Sequence, residues 1–555
     1  MKILFIARHF TYFRNYESVI DLLAARGHRI HLAAERAEEL GGRDMVERLA
    51  ARHATITTGW IPDREDRWSA LSTKLRLTID YLRYLDPTHA TTPKLRARAR
   101  ERVPRAALWA LAAPASTSPG RRLAAAFLRA CERAIPRSRR IDAYLTEQQP
   151  DVVLLTPLIG VVASPQPDYL QSAKSLGLRT ALCVWSWDHL SSKAIVRNVP
   201  DRLFVWNETQ RDEAVRLHGV EPSRVTVTGA QCFDQWFDRA ASVDRDTFCH
   251  RVGLPAGKPF LLYVCSALFK GSDSEARFVM RWIRGARASG LEPLASMPIL
   301  VRPHPSRLKE WDEIDLAAER DVVLWGRNPV DADARRDYYD SLALSSAVVG
   351  INTSAFIEGA IAGRPIFAPL LPEHHENQEG TIHFHYLLTV GGGLLHTART
   401  LADHFAQLNG TLASGVTTSE RSRRFVESFV RPHGLATAAT PVFADGVEQL
   451  AAMPAPAAMK DGVMRRAGRA LLSPIAALAA AATFEPLTSS ERERAIAARH
   501  RERRQREDDL RRDKAERKRA QAAAKQARAG ERQRAKAQRA EEWRRTKRAN
   551  KLKVS

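Results

Sequence analysis

At 555 residues the chain is too long for a single hydrophobic core, and its 44% hydrophobic content suffices for two large domains with appendages. The formal charge of +23 is concentrated: residues 491–555 carry 25 Lys/Arg against 11 Asp/Glu, and residues 94–140 carry 13 against 2, which leaves −2 for the remainder. A body so close to neutral disfavours nucleic acid as a chain-wide partner and leaves two basic appendages to explain.

The first half alternates strand and helix patterns. Continuous apolar runs at 2–8, 28–35, 54–60, 151–156, 179–185, 202–207 and 224–229 predict strands of a parallel sheet covered on both faces. Residues 64–140 interrupt them as a basic, mainly helical insertion. Its later part puts Leu123, Phe127, Ala130 and Ala134 on one face among arginines. Such a stripe fits packing on its own domain or lying on a membrane surface. A polar segment at 236–258 marks the boundary, and a second strand series follows at 260–266, 298–305, 321–326, 346–352 and 365–370. The predicted fold class is α/β: two tandem Rossmann-like, doubly wound parallel-sheet domains over 1–235 and 236–450, with a cleft between them. Residues 451–490 are Ala/Pro-rich, a linker or helix, and 491–555 form a basic tail, helical or disordered, with no coiled-coil seam and few large apolar residues, Leu510 and Trp543 among them.

Cys131, Cys183, Cys232, Cys249 and Cys265 are odd in number and form no C-x-x-C pair, which fits free thiols in a reducing compartment and no zinc site. The N-terminal MKILFIARHF reads as a first strand rather than a signal segment. No apolar run reaches the roughly 18 residues of a spanning helix. The expected location is cytoplasmic, with a peripheral place at the inner face of the cell membrane left open by the basic segments.

Residues 348–370, VVGINTSAFIEGAIAGRPIFAPL, read as strand, helix and strand, with Thr353 as helix N-cap and Gly363 and Pro365 as the stop. A helix beginning there turns backbone N–H groups towards the strand tip, which suits a phosphate. Ser354 and Glu358 share a helix face, and Glu358 is placed to accept bonds from sugar hydroxyls. Three further strand ends carry reactive residues. His9 follows the first strand and fits either a general base facing the cleft or a structural histidine. Asp188, in VWSWDHLSSK, stands beside two tryptophans as a second candidate base. Arg302 and His304, in VRPHPS, offer a guanidinium fork and a proton donor to a phosphate leaving group. Gln378, Glu379 and His383 follow in a polar stretch whose four histidines, His374, His375, His383 and His385, match no metal-binding spacing.

These stretches resemble the GT-B-type glycosyltransferases. VTVTGAQCFD (225–234) is similar to the strand and Val-Thr-Gly-x-x-x-x-Asp turn that closes the N-terminal domain in GT-B enzymes and related epimerases. TSAFIEGAIAGRPIFAPL resembles the donor motif whose Glu binds the nucleotide ribose, here Glu358, followed by Gly363 and Pro365, and Gln378 matches the Gln that contacts donor sugar hydroxyls. RPHP with Thr353 and Ser354 also resembles the pairs with which bacterial sialyltransferases and CDP-glycerol glycerophosphotransferases hold CMP or CDP phosphates. UDP-N-acetylglucosamine 2-epimerase is a third relative, although its His-Arg-Arg-Glu-Asn run is absent.

The resemblance implies an acceptor-binding N-terminal domain and a donor-binding C-terminal domain. It implies a metal-independent glycosyltransferase without a cofactor, using a UDP- or CMP/CDP-linked donor and a glycan or lipid-linked acceptor in cell-surface glycan synthesis. His9, Asp188 and His304 would be catalytic; Arg302, Thr353, Ser354, Glu358, Gln378 and Glu379 would bind the donor. The alternatives are a polyol-phosphate or sialyl-type transferase, a 2-epimerase-like isomerase, and an RNA- or membrane-associated protein on an inactive GT-B body.

Overall fold

The structure, a computed structural model, describes residues 1–38, 41–160, 163–316, 318–329, 331–416, 418–459 and 461–481. The tail read at 491–555 lies outside the described residues.

Seven strands build the first sheet: β1 (Lys2–Ala7), β2 (Arg29–Ala34), β3 (Ile56–Trp60), β4 (Val152–Thr156), β5 (Arg179–Cys183), β6 (Arg202–Val205) and β7 (Val225–Val227). They lie in the order β3-β2-β1-β4-β5-β6-β7, with every pair parallel. The second sheet holds β8 (Leu261–Val264), β9 (Ile299–Arg302), β10 (Val322–Leu324), β11 (Ala347–Val349), β12 (Ile366–Pro369) and β13 (Leu395–Ala398), in the order β10-β9-β8-β11-β12-β13 and again all parallel. Val, Ile, Leu and Phe dominate because helices cover both faces, and most of these side chains are fully buried. The strand order reverses between β1 and β4 and between β8 and β11, and a parallel sheet opens its ligand crevice at such a switch point. This is the two-sheet α/β architecture the sequence predicts.

β13 is the strand the sequence reading omits. It lies at the sheet edge and pairs only with β12, so a polar residue such as His396 is tolerated, stacked on Phe367 at 4.6 Å.

The chain then crosses back. The helix Ala439–Ala452 follows the second sheet in sequence but inserts Phe443, Val447 and Leu450 into the core of the first, beside Phe5 and Phe204. The Val-Thr-Gly-x-x-x-x-Asp turn explains how. Asp234 accepts hydrogen bonds from Ala439 N (3.1 Å) and Thr440 N (2.6 Å), capping this helix, and pairs with Arg431 at 3.0 Å. Gly229 has φ +85°, and a β-carbon there would stand 2.7 Å from Ala439 Cβ.

Residues 64–140 are helical as expected, with helices Ser69–Arg83, Pro93–Arg100, Arg105–Leu111 and Ser118–Ala134. Buried ion pairs anchor them. Asp168 takes Arg64 at 2.9 Å and Arg76 at 2.7 Å, and Glu132 takes Arg76 at 2.9 Å and Arg197 at 3.3 Å. The Ala/Pro-rich stretch contains the helix Val463–Ala481, which packs on this insertion.

Candidate active site

The carboxyl edges of the two sheets meet at a cavity of about 800 Å³. The loops after β5, β8, β9, β10 and β11 supply most of its wall, Arg14 enters from the loop after β1, and Leu95 and Arg98 come from the insertion. The wall carries six arginines and two lysines against two carboxylates, Asp188 and Glu358. Lys193, Arg302, Arg327 and Arg335 are ion-paired; Arg14, Arg98, Arg239 and Lys270 form no salt bridge among the described residues. The cavity therefore favours an anion.

Glu358 lies on the short helix Ala355–Ile361. Its Oε2 accepts the Tyr338 hydroxyl, while Oε1 accepts no protein hydrogen bond among the described residues. Burial raises the pKa of the carboxyl, against the Tyr338 bond and the Arg14 charge, which favour ionisation. Tyr338 is itself held in place, with the Arg302 guanidinium 5.1 Å over its ring.

His304 follows β9. Its Nδ1 accepts from Ser306 N at 3.2 Å and lies 2.8 Å from Ser306 Oγ. Burial, aided by Arg307, lowers its pKa, so the ring is neutral and its proton sits on Nε2 as a donor. Around it, Asn377 fixes the loop after β8 by accepting from Phe269 N at 2.8 Å, and Asn352 N donates to Ser266 Oγ at 3.0 Å.

Asp188 lines the cavity but is fully engaged. It accepts from Ser186, from Ser192 Oγ (2.7 Å) and from Lys193 Nζ (2.7 Å). Burial opposes its charge, yet Lys193 and these bonds hold its pKa far below the usual carboxylate range. Such a carboxylate is a weak proton acceptor. Beside it stands His383, edge-on to Trp187 at 4.7 Å, with its pKa pushed down to about 4 by burial and its Nδ1 unpartnered. His383 is thus a neutral imidazole in the cavity wall within the field of Asp188, a relationship invisible from their separation of nearly two hundred positions.

Arg302, Asp188, His304, Thr353, Ser354 and Glu358 all line this one cavity, and three expected residues do not. His9 packs edge-on to Tyr12 at 4.6 Å, and Tyr12 in turn meets Trp185 at 4.9 Å, so two rings separate His9 from the cavity. Gln378 is fully buried and donates to Ile351 O and Pro369 O, both at 3.0 Å, tying the ends of β11 and β12 together. Glu379 is held at the surface by both Nη atoms of Arg399 at 2.7 Å.

Two placements refine the remainder. Arg302 reaches Asp337 at 2.8 Å rather than presenting a free fork, and Gly326 makes room for it, since a β-carbon there would stand 2.5 Å from the guanidinium. The helix expected to start at Thr353 starts at Ala355, with Thr353 Oγ1 accepting from Ala355 N at 3.3 Å. The four histidines of the polar stretch diverge: His374 packs on Phe278, His375 faces Glu379, His383 lines the cavity, and His385 Nε2 meets Glu379 O.

No family model matches the chain, and no curated protein matches it. Among solved structures it is similar to a glycosyltransferase from Rickettsia africae ESF-5 (9% identity, TM-score 0.47, 82% of this chain and 99% of that one). It is similar as well to the UDP-GlcNAc 2-epimerase from Methanocaldococcus jannaschii (11%, TM-score 0.44, 81% and 100%) and to the calicheamicin glycosyltransferase CalG4 (12%, TM-score 0.42, 82% and 99%). At such identities these likenesses say nothing about the reaction. Among the described residues no helix is long and apolar enough to cross a membrane.

Proposed function

We propose that the chain is a glycosyltransferase that moves a sugar from a nucleotide-activated donor to an acceptor hydroxyl, in cell-surface glycan synthesis. One observation carries this reading: a cavity at the facing carboxyl edges of two parallel sheets has eight cationic side chains, two carboxylates and an imidazole N–H on its wall. A donor phosphate suits Arg14, Lys270 and the His304 Nε2–H, whose charges and dipole also favour the leaving group as its charge grows. Oε1 of Glu358 suits the vicinal hydroxyls of a ribose. His383 is left as the general base, since His9 lies outside the cavity and Lys193 already neutralises Asp188; with burial holding its pKa near 4, His383 gains basicity only as the donor's negative phosphates enter the cavity. In this scheme His383 takes the acceptor proton and the acceptor oxygen attacks the anomeric carbon. The bond from that carbon to the phosphate oxygen breaks, and its electron pair leaves with the nucleotide.

A thermal-shift panel of uridine, cytidine, adenosine and guanosine nucleotides tests this, since a ligand that binds only the folded state must stabilise it. Stabilisation by UDP above the others is the expected result. Preference for CMP or CDP would move the reading to a sialyl-type or polyol-phosphate transferase, and indifference to every nucleotide would overturn it.

A further inference from the structure

The helices Ser118–Ala134 and Val463–Ala481 pack against each other and against Ser69–Arg83. Their seam is tight: a β-carbon on Gly468 would lie 3.1 Å from Ala134 Cβ, and Arg469 Nε donates to Ala134 O at 3.2 Å. Leu472, Ala476 and Ala479 fill it from one side, against Trp68, Leu71 and Ile135.

A second apolar set is left outside. Met464, Leu471, Ile475 and Leu478 fall at i, i+7, i+11 and i+14, one face of the helix, and are 49–85% exposed. On the neighbouring helix Leu123 and Phe127, one turn apart, are 74% and 66% exposed, and Trp109, earlier in the insertion, is 85% exposed. A helix with one stripe in a core ordinarily carries polar residues opposite. Here the outer faces are apolar, and of the two placements the sequence left open for Leu123 and Phe127, packing on their own domain is not the one found.

The charge around them is mainly positive, although Arg469 is paired with Asp461 at 2.6 Å. Residues 105–134 hold five arginines and one acid, Glu132, which Arg76 and Arg197 already occupy; residues 463–481 hold three arginines and no acid.

We propose that this surface docks on an anionic lipid bilayer, with Leu123, Phe127, Leu471 and Leu478 entering the headgroup–acyl boundary and the arginines meeting lipid phosphates. Charge selects this occupant. A second copy would set arginine against arginine. Residues 491–555 carry a net +14 with only Ile496, Leu510, Trp543, Leu552 and Val554 as large apolar side chains, a composition that complements neither the arginines nor the stripe.

Flotation of the full-length protein with phosphatidylcholine vesicles, with and without phosphatidylglycerol, tests the proposal. Wild type should float with the anionic vesicles only, and part of it should remain bound at about 0.5 M salt, where charge is screened but apolar insertion is not. Combining Phe127→Ser with Leu471→Ser should lower partitioning about tenfold or more, while Arg122→Gln with Arg129→Gln should lower it about fivefold per arginine and flatten the salt response. Unchanged melting temperatures show that the variants fold; should the apolar pair unfold, Leu123→Ser with Met464→Ser probes the same surface. No anionic-vesicle binding by wild type would overturn the proposal. Apolar variants that float like wild type would assign binding to the basic tail, and a dimer in light scattering abolished by the same variants would assign the surface to a second copy; either overturns it.

Discussion

Replacing Glu358 by Gln tests the candidate site with the least change in shape. The amide keeps an acceptor for the Tyr338 hydroxyl and removes the charge assigned to the donor ribose. Hydrogen bonds to charged groups contribute about 1.5–3 kcal/mol and neutral ones about 0.5–1.5 kcal/mol. Glu358→Gln should therefore weaken nucleoside diphosphate binding by about 1–1.5 kcal/mol, roughly tenfold.

Stability should move the other way. Burial holds this carboxyl's pKa above its unfolded value, so the folded state binds the proton more tightly than the unfolded chain. That contribution is fully present below the unfolded pKa of about 4.3 and is lost as pH rises through the folded pKa. At pH 7 the variant lacks the cost of a desolvated charge and should melt at or above the wild-type temperature. Calorimetric titration with UDP and CDP, joined to thermal scans between about pH 5 and pH 8, reads both effects. Binding equal to wild type, or a clearly lower melting temperature, would refute the reasoning.

Glu213 is pushed up to about 8 by burial and accepts the Tyr386 hydroxyl at 2.6 Å, so its share of stability is lost as pH rises from its unfolded value through about 8. Glu213→Gln should flatten the fall in melting temperature over that range; an unchanged slope would count against the burial account. Asp168→Asn removes the buried carboxylate that Arg64 and Arg76 share, leaving Arg64 with Asp66 and Arg76 with Glu132, and should cost up to about 3–5 kcal/mol in urea unfolding, whereas a loss under about 1 kcal/mol would mean that the remaining partners suffice. Asp168 has its pKa held below the unfolded value by Arg76 and Arg64 against burial, so its contribution should persist above the unfolded pKa and fade on acidification through the folded one. Asp234→Ala uncaps the returning helix and should speed amide hydrogen exchange across 439–452; protection equal to wild type would show that Phe443 and its neighbours hold the helix without the cap.

The central strands were legible because each is a short, largely apolar run bounded by turn residues, and burial on both faces demands that pattern; the edge strands β3, β7 and β10 kept enough Val, Ile and Thr to be read. β13 escaped because an edge strand needs no such run, and LHTA carries two polar residues. The returning helix escaped for a different reason: Phe443 and Val447 announce an amphipathic helix but not which sheet it covers, and that address is set by Asp234, some two hundred residues earlier. The residues at the ends of β5, β9 and β11 converge because doubly wound sheets place ligands at their carboxyl edges. Reading His9, Gln378 and Glu379 as site residues assumed that position near a strand end fixes direction. Side-chain direction is decided instead by long-range neighbours, Tyr12 and Trp185 for His9, the carbonyls of Ile351 and Pro369 for Gln378, and Arg399 for Glu379. The same limit hid that His383 and Asp188 line one cavity.

The central claim is that the cavity between the two sheets holds a nucleotide-activated donor. Amide hydrogen exchange of the full-length protein with and without saturating UDP measures it most directly. The loops at 265–270, 302–306, 326–329 and 352–358, which wall the cavity, should gain protection together. Protection confined to the arginine-rich insertion, or absent at these four loops while UDP is bound, would contradict the claim.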